Sequence, residues 1–168
     1  MKSFLKTITL SLLSALAISP IVLAEAASAQ VSGMSGSYIG GGVSAGVTNE
    51  DDVFGGNVQG RFDLPTVPLS VRGAWLFNGD GSAVMPVLSY DLPITPNANL
   101  YAGAGYSFVT GEGQSPLGDQ DAVVLTTGVE AGIRRNVVVY GDVKLGLDAY
   151  EDSSDPAVSL QLGAAYRF

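Results

Sequence analysis

Residues 157–168 alternate between apolar side chains and small or polar ones. The apolar positions are Val158, Leu160, Leu162, Ala164, Tyr166 and Phe168, and the intervening ones are Ser159, Gln161, Gly163, Ala165 and Arg167. A period of two residues predicts a β-strand with one apolar face. That face carries aromatic side chains up to Phe168, which is unusual for a strand in water and is expected where the face meets lipid.

Seven earlier segments alternate in the same way and are separated by turn-forming stretches. They are residues 37–48, 53–64, 69–78, 84–92, 100–110, 122–134 and 137–150. Strands that cross a bilayer at a tilt need about 9–11 residues, whereas strands of soluble proteins usually have about 5–6. A closed barrel of such strands leaves no backbone polar group unpaired in lipid. The pattern therefore predicts an all-β fold, an eight-stranded antiparallel up-and-down transmembrane β-barrel.

The connections between these segments fall into two kinds that alternate along the chain. Three of them are compact or proline-rich, at 64–68, 93–99 and 135–136, and four are acidic and rich in Gly and Ser, at 49–52, 78–82, 111–120 and 151–156. With an even number of strands the two kinds lie at opposite ends. Short turns inside and longer loops outside are typical of outer-membrane barrels.

Pro86 is the position that fits this pattern least well. It lies within the fourth segment, and a closed barrel has no free edge where a missing N–H can be tolerated. We expect either that the strand starts near Val87 or that a bulge accommodates the proline.

Aromatic side chains fall mostly on the predicted outward face. Besides Tyr166 and Phe168, they are Phe54, Phe62, Trp75, Phe77, Tyr90, Tyr106 and Phe108. Several cluster near the acidic loops and others near the short turns, as expected for aromatic girdles at the two membrane interfaces. The alternative is a β-sandwich or soluble barrel whose core uses the same aromatics, without sorting by height.

Charged side chains of both signs fall on the predicted inward face. They are Arg61, Asp63, Arg72, Asp91, Glu130, Arg134, Asp142, Lys144, Asp148 and Arg167. Burying these charges in a core without water would cost a large desolvation free energy. In a barrel of about eight strands, which is just wide enough to be filled by side chains, they form either a plug of salt bridges or an ion path, and we favour the plug. Glu130 with Lys144, and Asp63 with Arg72, are expected to be diagonal neighbours.

The first 29 residues resemble a secretory signal peptide. Lys2 and Lys6 precede an apolar stretch at 8–23, and Ala27-Ser28-Ala29 fits a cleavage site that would leave Gln30 as the first mature residue. The alternative is a retained transmembrane helix. Cleavage leaves 30–168 as one barrel domain, exported to the cell outer membrane.

Composition excludes several classes of function. The net charge is −8, and removing Lys2, Lys6 and Glu25 with the signal peptide makes it −9, which argues against nucleic acid as a partner. The chain has no cysteine and no histidine, so cysteine-ligated metal sites and histidine-based catalysis are excluded. A paired-carboxylate enzyme using Glu130, Asp142 and Asp148 is conceivable, but no opening for a sugar is evident.

The acidic loops are candidates for binding divalent cations or an extracellular ligand. The oxygen ligands would come from Glu50, Asp51 and Asp52, or from Glu151, Asp152 and Asp155. Neither run has EF-hand spacing, so solvated loops are the favoured interpretation. We predict no metal site and no cofactor.

Three stretches resemble a known family. They are Gly-Ser-Tyr-Ile-Gly-Gly-Gly at 36–42, Leu-Tyr-Ala-Gly-Ala-Gly-Tyr at 100–106 and Ala-Tyr-Arg-Phe at 165–168. In this order they resemble the small bacterial outer-membrane β-barrels of the opacity-protein, OmpX and OmpA-barrel type.

The resemblance implies a non-enzymatic barrel with a structural or surface-interaction role, such as envelope integrity or adhesion. It also implies that Tyr166 and Phe168 form the signal read by the barrel assembly machinery. Outer-membrane lipid is then the surrounding partner. The alternative function is a narrow porin-like channel for ions or small solutes.

Overall fold

A computed structural model describes residues 33–48, 53–111, 113–151 and 155–168. It contains eight β-strands: β1 Tyr38–Gly46, β2 Val53–Leu64, β3 Leu69–Phe77, β4 Gly81–Thr95, β5 Ala98–Gly111, β6 Ala122–Arg134, β7 Val137–Leu147 and β8 Ala157–Arg167. The prediction of eight strands is confirmed. The predicted signal peptide lies outside the described residues. Within them, no helix is long and apolar enough to cross a membrane.

The strands form a closed antiparallel barrel in up-and-down order. Each strand pairs with the next along the chain, and β8 pairs with β1 to complete the cylinder. Following the paired residues from strand to strand, starting at Tyr38 on β1, leads once around the barrel to Gly146 on β7 and Ala157 on β8. Gly46 on β1 pairs with Ser159, so Ala157, two residues earlier on β8, is level with Thr48. The path therefore returns to β1 ten residues beyond its start, and this offset is the stagger of the barrel. A stagger of this size goes with strands tilted by about 35–45°.

The two ends of the barrel differ as the connections predicted. One end, called the turn end, carries the tight turns at 65–68, 96–97 and 135–136. The N-terminal segment 33–37 and Phe168 also lie there, because Phe168 N–H donates to the Ser37 carbonyl at 3.0 Å. The opposite end, called the loop end, carries the other four connections, three of which are longer than any turn at the turn end.

Pro86 is accommodated differently from either expectation. β4 begins at Gly81, so Pro86 lies inside a strand of 15 residues. On the β3 side Pro86 pairs with Gly73. On the β5 side pairing is interrupted between Val84↔Phe108 and Val87↔Gly105, yet the register is the same before and after. The missing N–H is therefore absorbed by a gap in one ladder, without a bulge and without a late strand start.

The outer surface of the barrel is apolar around its whole circumference. Between the aromatic positions, large aliphatic side chains of every strand except β5 are exposed, including Val43, Val58, Leu88, Val129 and Leu162, and β5 exposes Tyr106 and Phe108 instead. The inward-facing side chains of the same strands are buried. A barrel with a solvated polar outside would show the reverse distribution, so the arrangement fits a lipid-facing wall.

The barrel interior as candidate functional site

The turn-end half of the interior holds a cluster of five charged side chains, called the turn-end cluster: Arg61, Asp63, Arg72, Asp91 and Glu130. Arg61 contacts Asp63 at 3.0 Å, Asp91 at 2.9 Å and Glu130 at 3.2 Å. Arg72 contacts Asp91 at 2.8 Å and Glu130 at 2.9 Å. Glu130 is completely buried and both arginines are almost so. Each arginine therefore bridges two carboxylates that come from β4 and β6.

Neutral groups complete the hydrogen bonding of the cluster. The Tyr38 hydroxyl accepts from Arg72 and donates to Glu130, both at 2.9 Å. The Arg61 Nε donates to Ser70 at 2.8 Å, and the Ser70 hydroxyl donates to Asp91. The Arg72 guanidinium also stacks 3.6 Å from the ring centre of Tyr101. Buried charges are stable only when paired and fully hydrogen-bonded, and this cluster meets that requirement.

A second polar group lies farther along the interior. Lys144 contacts Asp142 at 2.8 Å, and the Tyr101 hydroxyl donates to the other oxygen of Asp142 at 2.7 Å. The Tyr140 hydroxyl donates to Asn57 at 2.6 Å. Three buried polar atoms make no hydrogen bond within the described part of the chain: Ser107 Oγ, Thr126 Oγ1 and Gln161 Oε1. Such atoms are suitable partners for trapped water.

The N-terminal segment closes the turn end. Met34 is buried, and both of its backbone groups bond the Asn99 side chain, at 3.0 Å for the N–H and 2.7 Å for the carbonyl. Gly36 N–H donates to Asp63 at 2.8 Å. Gly33 and Gly36 have positive φ of 62° and 97°, which lets the segment fold back beneath the barrel. The polar cluster is thus covered by the chain itself.

The loop-end half of the interior holds an apolar core. Its buried members are Ala74, Leu76, Ala83, Met85, Val87, Leu117, Ala122, Val124, Ala149 and Ala157. Leu117 belongs to the connection between β5 and β6 and is fully buried. That connection folds inward across the loop end, so a loop residue fills the lumen between inward-facing strand residues.

Hydrogen bonds hold this inward-folded connection to its neighbours. Asn78 donates to the Gln114 carbonyl at 2.8 Å, and the N–H groups of Asp119 and Gln120 both bond the Ala149 carbonyl at 3.1 Å. Ser115 and Gly118 form a tight turn around Leu117. Tyr150 packs against the core, and burial raises the pKa of its hydroxyl. These hydrogen bonds therefore hold the loops together as a cap over the loop end of the barrel.

Three of the ten predicted lumen charges lie elsewhere. Arg134 and Asp148 are exposed at strand ends, where inward parity no longer places a side chain inside the barrel. Arg167 is half-buried at the rim, where it donates to the Arg135 carbonyl at 2.7 Å and not to a carboxylate. The structure brings the other seven into the interior: Arg61, Asp63, Arg72, Asp91, Glu130, Asp142 and Lys144.

Of the two predicted diagonal pairs of lumen charges, Asp63 with Arg72 is confirmed by the register and Glu130 with Lys144 is wrong. In the β6–β7 register Glu130 stands opposite Tyr140 and Lys144 opposite Thr126, so Glu130 and Lys144 are not neighbours. Lys144 pairs with Asp142 on its own strand instead. Asp63 and Arg72 are diagonal in the β2–β3 register, but Asp63 bonds Arg61. Parity alone fixes the face of a residue, while its partner depends on register.

The aromatic positions predicted for the membrane interfaces are on the outer surface. Phe54, Phe62, Trp75, Tyr90, Tyr106 and Phe108 are exposed, and Phe77 is half-buried against Trp75. Registered pairing places Trp75, Val84 and Phe108 side by side toward the loop end. Tyr166 and Phe168 are exposed at the turn end. Their roles as girdle and assembly signal stay predictions.

Sequence reasoning missed the two closures of the interior. Leu117 lies in an acidic loop without periodicity, and Met34 precedes the first strand. The available signal was an isolated apolar residue next to a turn, Pro116-Leu117-Gly118. Within the described residues, no group of three or more acidic side chains is arranged to hold a metal ion. Glu50, Asp51, Asp52 and Asp152 lie outside those residues.

Several solved structures are similar to this barrel. OprG from Pseudomonas aeruginosa has a TM-score of 0.58 at 11% identity, covering 81% of this chain and 97% of its own. Ail, the attachment invasion locus protein of Yersinia pestis, has a TM-score of 0.55 at 17% identity, covering 80% of this chain and 100% of its own. Neisserial surface protein A has a TM-score of 0.52 at 16% identity, covering 80% of this chain and 98% of its own. No family model and no curated protein matches the sequence.

These similarities establish the fold. The chain has the eight-stranded closed barrel of small outer-membrane proteins, and the resemblance seen in the sequence is confirmed at that level.

Proposed function

We propose that this protein is a closed, non-conducting barrel of the outer membrane with a structural or surface-interaction role. The observation that carries this proposal is the filling of the interior from both ends. The turn end is filled by the turn-end cluster and covered by Met34, and the loop end is filled by the apolar core around Leu117. The apolar outer wall supports the membrane location.

The alternative channel function requires a continuous wet path. In this barrel an ion would have to displace Leu117 from its core and separate charges that are buried and paired. An enzymatic role has even less support, because the chain has no histidine and the buried carboxylates bond arginines, lysine or tyrosine. A structural role needs neither access to the interior nor reactive groups.

Planar-bilayer recording tests the closed state. Purified protein reconstituted at known density is expected to give no unitary current steps. Regular steps in the unaltered protein would contradict the proposal and favour the channel. The fold is tested separately by gel mobility, since an unboiled barrel migrates differently from the boiled chain. If boiled and unboiled samples migrate alike, the chain does not form a barrel, and both the structural and the channel function are excluded.

A surface-interaction role would use the loop end. Its described acidic side chains are Asp80, Asp119, Asp121, Asp148, Glu151 and Asp155, with no lysine or arginine among its described residues. Ail has been crystallised in complex with the heparin analogue sucrose octasulfate, a polyanion. The negative charge of the loop end argues against a polyanionic ligand for this protein and favours a basic partner. Cells displaying the protein should bind a polylysine-coated surface more strongly than a heparin-coated one.

Assembly into the membrane is the last element of the proposal. We infer that Tyr166 and Phe168 are read by the barrel assembly machinery, because both are exposed on the final strand at the turn end. A Phe168→Ser variant should accumulate outside the outer-membrane fraction, while Phe54→Ser, an equally exposed phenylalanine at the loop end, should assemble normally.

A further inference from the structure

Charged side chains outside the interior are separated by sign between the two ends. Beyond residue 30 the chain has six basic residues. Arg61, Arg72 and Lys144 are buried in the interior. The remaining three are Arg134, Arg135 and Arg167, all at the turn end. The exposed acidic side chains of the described residues lie at the loop end. The fully exposed charged side chains of the described residues are therefore basic at the turn end and acidic at the loop end.

The three turn-end arginines have no carboxylate partner among the described residues. Arg134 and Arg135 are exposed, and their guanidinium groups make no hydrogen bond or ion pair there. Arg167 donates to the carbonyls of Arg135 and Ser35. Arg135 and Arg167 line a polar cleft of about 530 Å³ with Asn97, Asn136 and Phe168. Three arginine side chains without a carboxylate partner among the described residues thus lie at one rim.

A second, apolar groove runs along the outer wall and also reaches Phe168. Gly60, Gly73 and Pro86 are paired across β2, β3 and β4, so three neighbouring strands lack a long side chain at one level. A Cβ added at Gly73 would meet nothing within 4 Å. The groove has a volume of about 680 Å³ and is flanked by Ile39, Phe62, Val84 and Phe108.

We propose that the cleft and the groove together bind an anionic phospholipid of the leaflet at the turn end. The phosphate would contact Arg135 and Arg167, with Arg134 adding to the local potential. An acyl chain would lie past Phe168 along the wall at Gly60 and Gly73. This inference rests on the proposed membrane location and adds a specific lipid partner to it.

Two features favour a whole lipid over a free phosphate. The charged cleft lies beside exposed aromatic side chains, Tyr166 and Phe168, which is the level of lipid headgroups. The adjoining groove is apolar and lipid-facing, so it offers nothing to a small soluble anion. Basic clusters near a membrane surface attract anionic lipid by roughly a fivefold factor per charge.

The headgroup contact is tested with the double variant Arg134→Gln/Arg135→Gln. The two arginine side chains make no hydrogen bond or ion pair with the described residues, so replacing them should leave the fold intact. Barrels in nanodiscs of phosphatidylcholine are titrated with phosphatidylglycerol, and bound lipid is counted by native mass spectrometry. We expect the unaltered protein to prefer phosphatidylglycerol and the variant, which lacks two positive charges, to lose that preference roughly 25-fold. Arg134→Lys/Arg135→Lys should retain most of it. Equal binding of both lipids by the unaltered protein would overturn the proposal.

The groove is tested with Gly73→Leu, which fills it. The matched control is Gly141→Leu on β7, where an added Cβ meets only ordinary contacts at 3.6 Å. Gly73→Leu should lower phosphatidylglycerol retention severalfold and Gly141→Leu should not. Glycerol phosphate is added as a soluble competitor. If it displaces the lipid completely, the site recognises phosphate alone and the groove assignment is wrong.

Failure of this inference can be separated from failure of the proposed function. Each sample is first checked for heat-modifiable gel mobility and for insertion into the nanodisc. A protein that inserts but shows no lipid preference disproves the lipid site and leaves the closed barrel intact. A protein that does not insert disproves the membrane location itself.

Discussion

The largest side-chain cluster in each half of the barrel interior has a different chemistry. The turn-end half uses Arg61, Arg72 and Glu130 in a buried ionic cluster, while the loop-end half packs Met85 and Leu117 in an apolar core. Apolar packing is non-directional and degrades gradually with lost volume. A buried ion cluster depends on every member, because removing one charge leaves its partners unpaired. Substitutions should therefore act through charge in one half and through volume in the other.

Glu130→Gln should have the largest effect. Glu130 is completely buried, forms an ion pair with Arg61, and accepts hydrogen bonds from Arg72, Tyr38 and Asn99. The amide keeps the shape but removes the charge that balances two guanidinium groups. We expect the free energy of unfolding to fall by about 3–5 kcal/mol, measured by urea unfolding in detergent micelles. The control is Asp148→Asn, an exposed acid that should change little. A loss below about 0.5 kcal/mol for Glu130→Gln would contradict the ionic description.

Leu117→Ala tests the apolar half. Truncating a fully buried leucine removes its packing and leaves a cavity, so the free energy of unfolding should fall by about 2–4 kcal/mol. The control is Val67→Ala, an exposed apolar residue in a turn at the other end, which should stay within about 0.5 kcal/mol of the unaltered protein. Should Leu117→Ala be neutral, the loop does not fill the lumen as described.

Asn99→Ala tests the closure of the polar half by the N-terminal segment. The Asn99 side chain bonds both backbone groups of Met34 and one oxygen of Glu130. Leaving those buried groups unpaired should reduce stability by about 1–3 kcal/mol. The Met34 amide should also exchange hydrogen faster, measured by hydrogen–deuterium exchange. Asn97→Ala, in the neighbouring exposed turn, is the control. Unchanged exchange at Met34 would show that the segment is held by other contacts.

A double variant asks whether the two halves are independent. Glu130 and Leu117 belong to separate clusters with no partner in common. The losses from Glu130→Gln and Leu117→Ala should therefore add to within about 0.5 kcal/mol. The measurement is a double-mutant cycle of urea unfolding. A larger coupling energy would mean that the barrel interior responds as one unit, and the distinction between halves would lose its energetic meaning.

The sequence predicted the barrel and the polar half better than the apolar half. Alternation over long segments places Arg61 and Glu130 on the inner face, because a period of two residues fixes the face of a strand residue. It does not fix the partner, which is why the predicted pair of Glu130 and Lys144 is wrong. Alternation does not predict the orientation of residues at strand ends, so Arg134 and Asp148 are exposed although the pattern places them inside the barrel. Leu117 could not be found this way, because loop residues have no period and their positions depend on tertiary contacts.

Trp75 gives the smallest expected effect and tests the wall that encloses both halves. It is the single tryptophan of the chain and is about half exposed on the outer surface near the loop end. An aromatic ring at headgroup depth should be quenched more by lipids brominated near the headgroup than by those brominated near the chain end. Trp75→Phe should change stability by less than about 0.5 kcal/mol, since the substituted ring also suits the interface. Stronger quenching from the chain-end bromines would place Trp75 at the bilayer centre and remove the girdle at the loop end. Quenching by aqueous acrylamide alone would place that end of the barrel in water. Either result would mean that the apolar core around Leu117 lies at a different depth from the one its aromatic surroundings indicate.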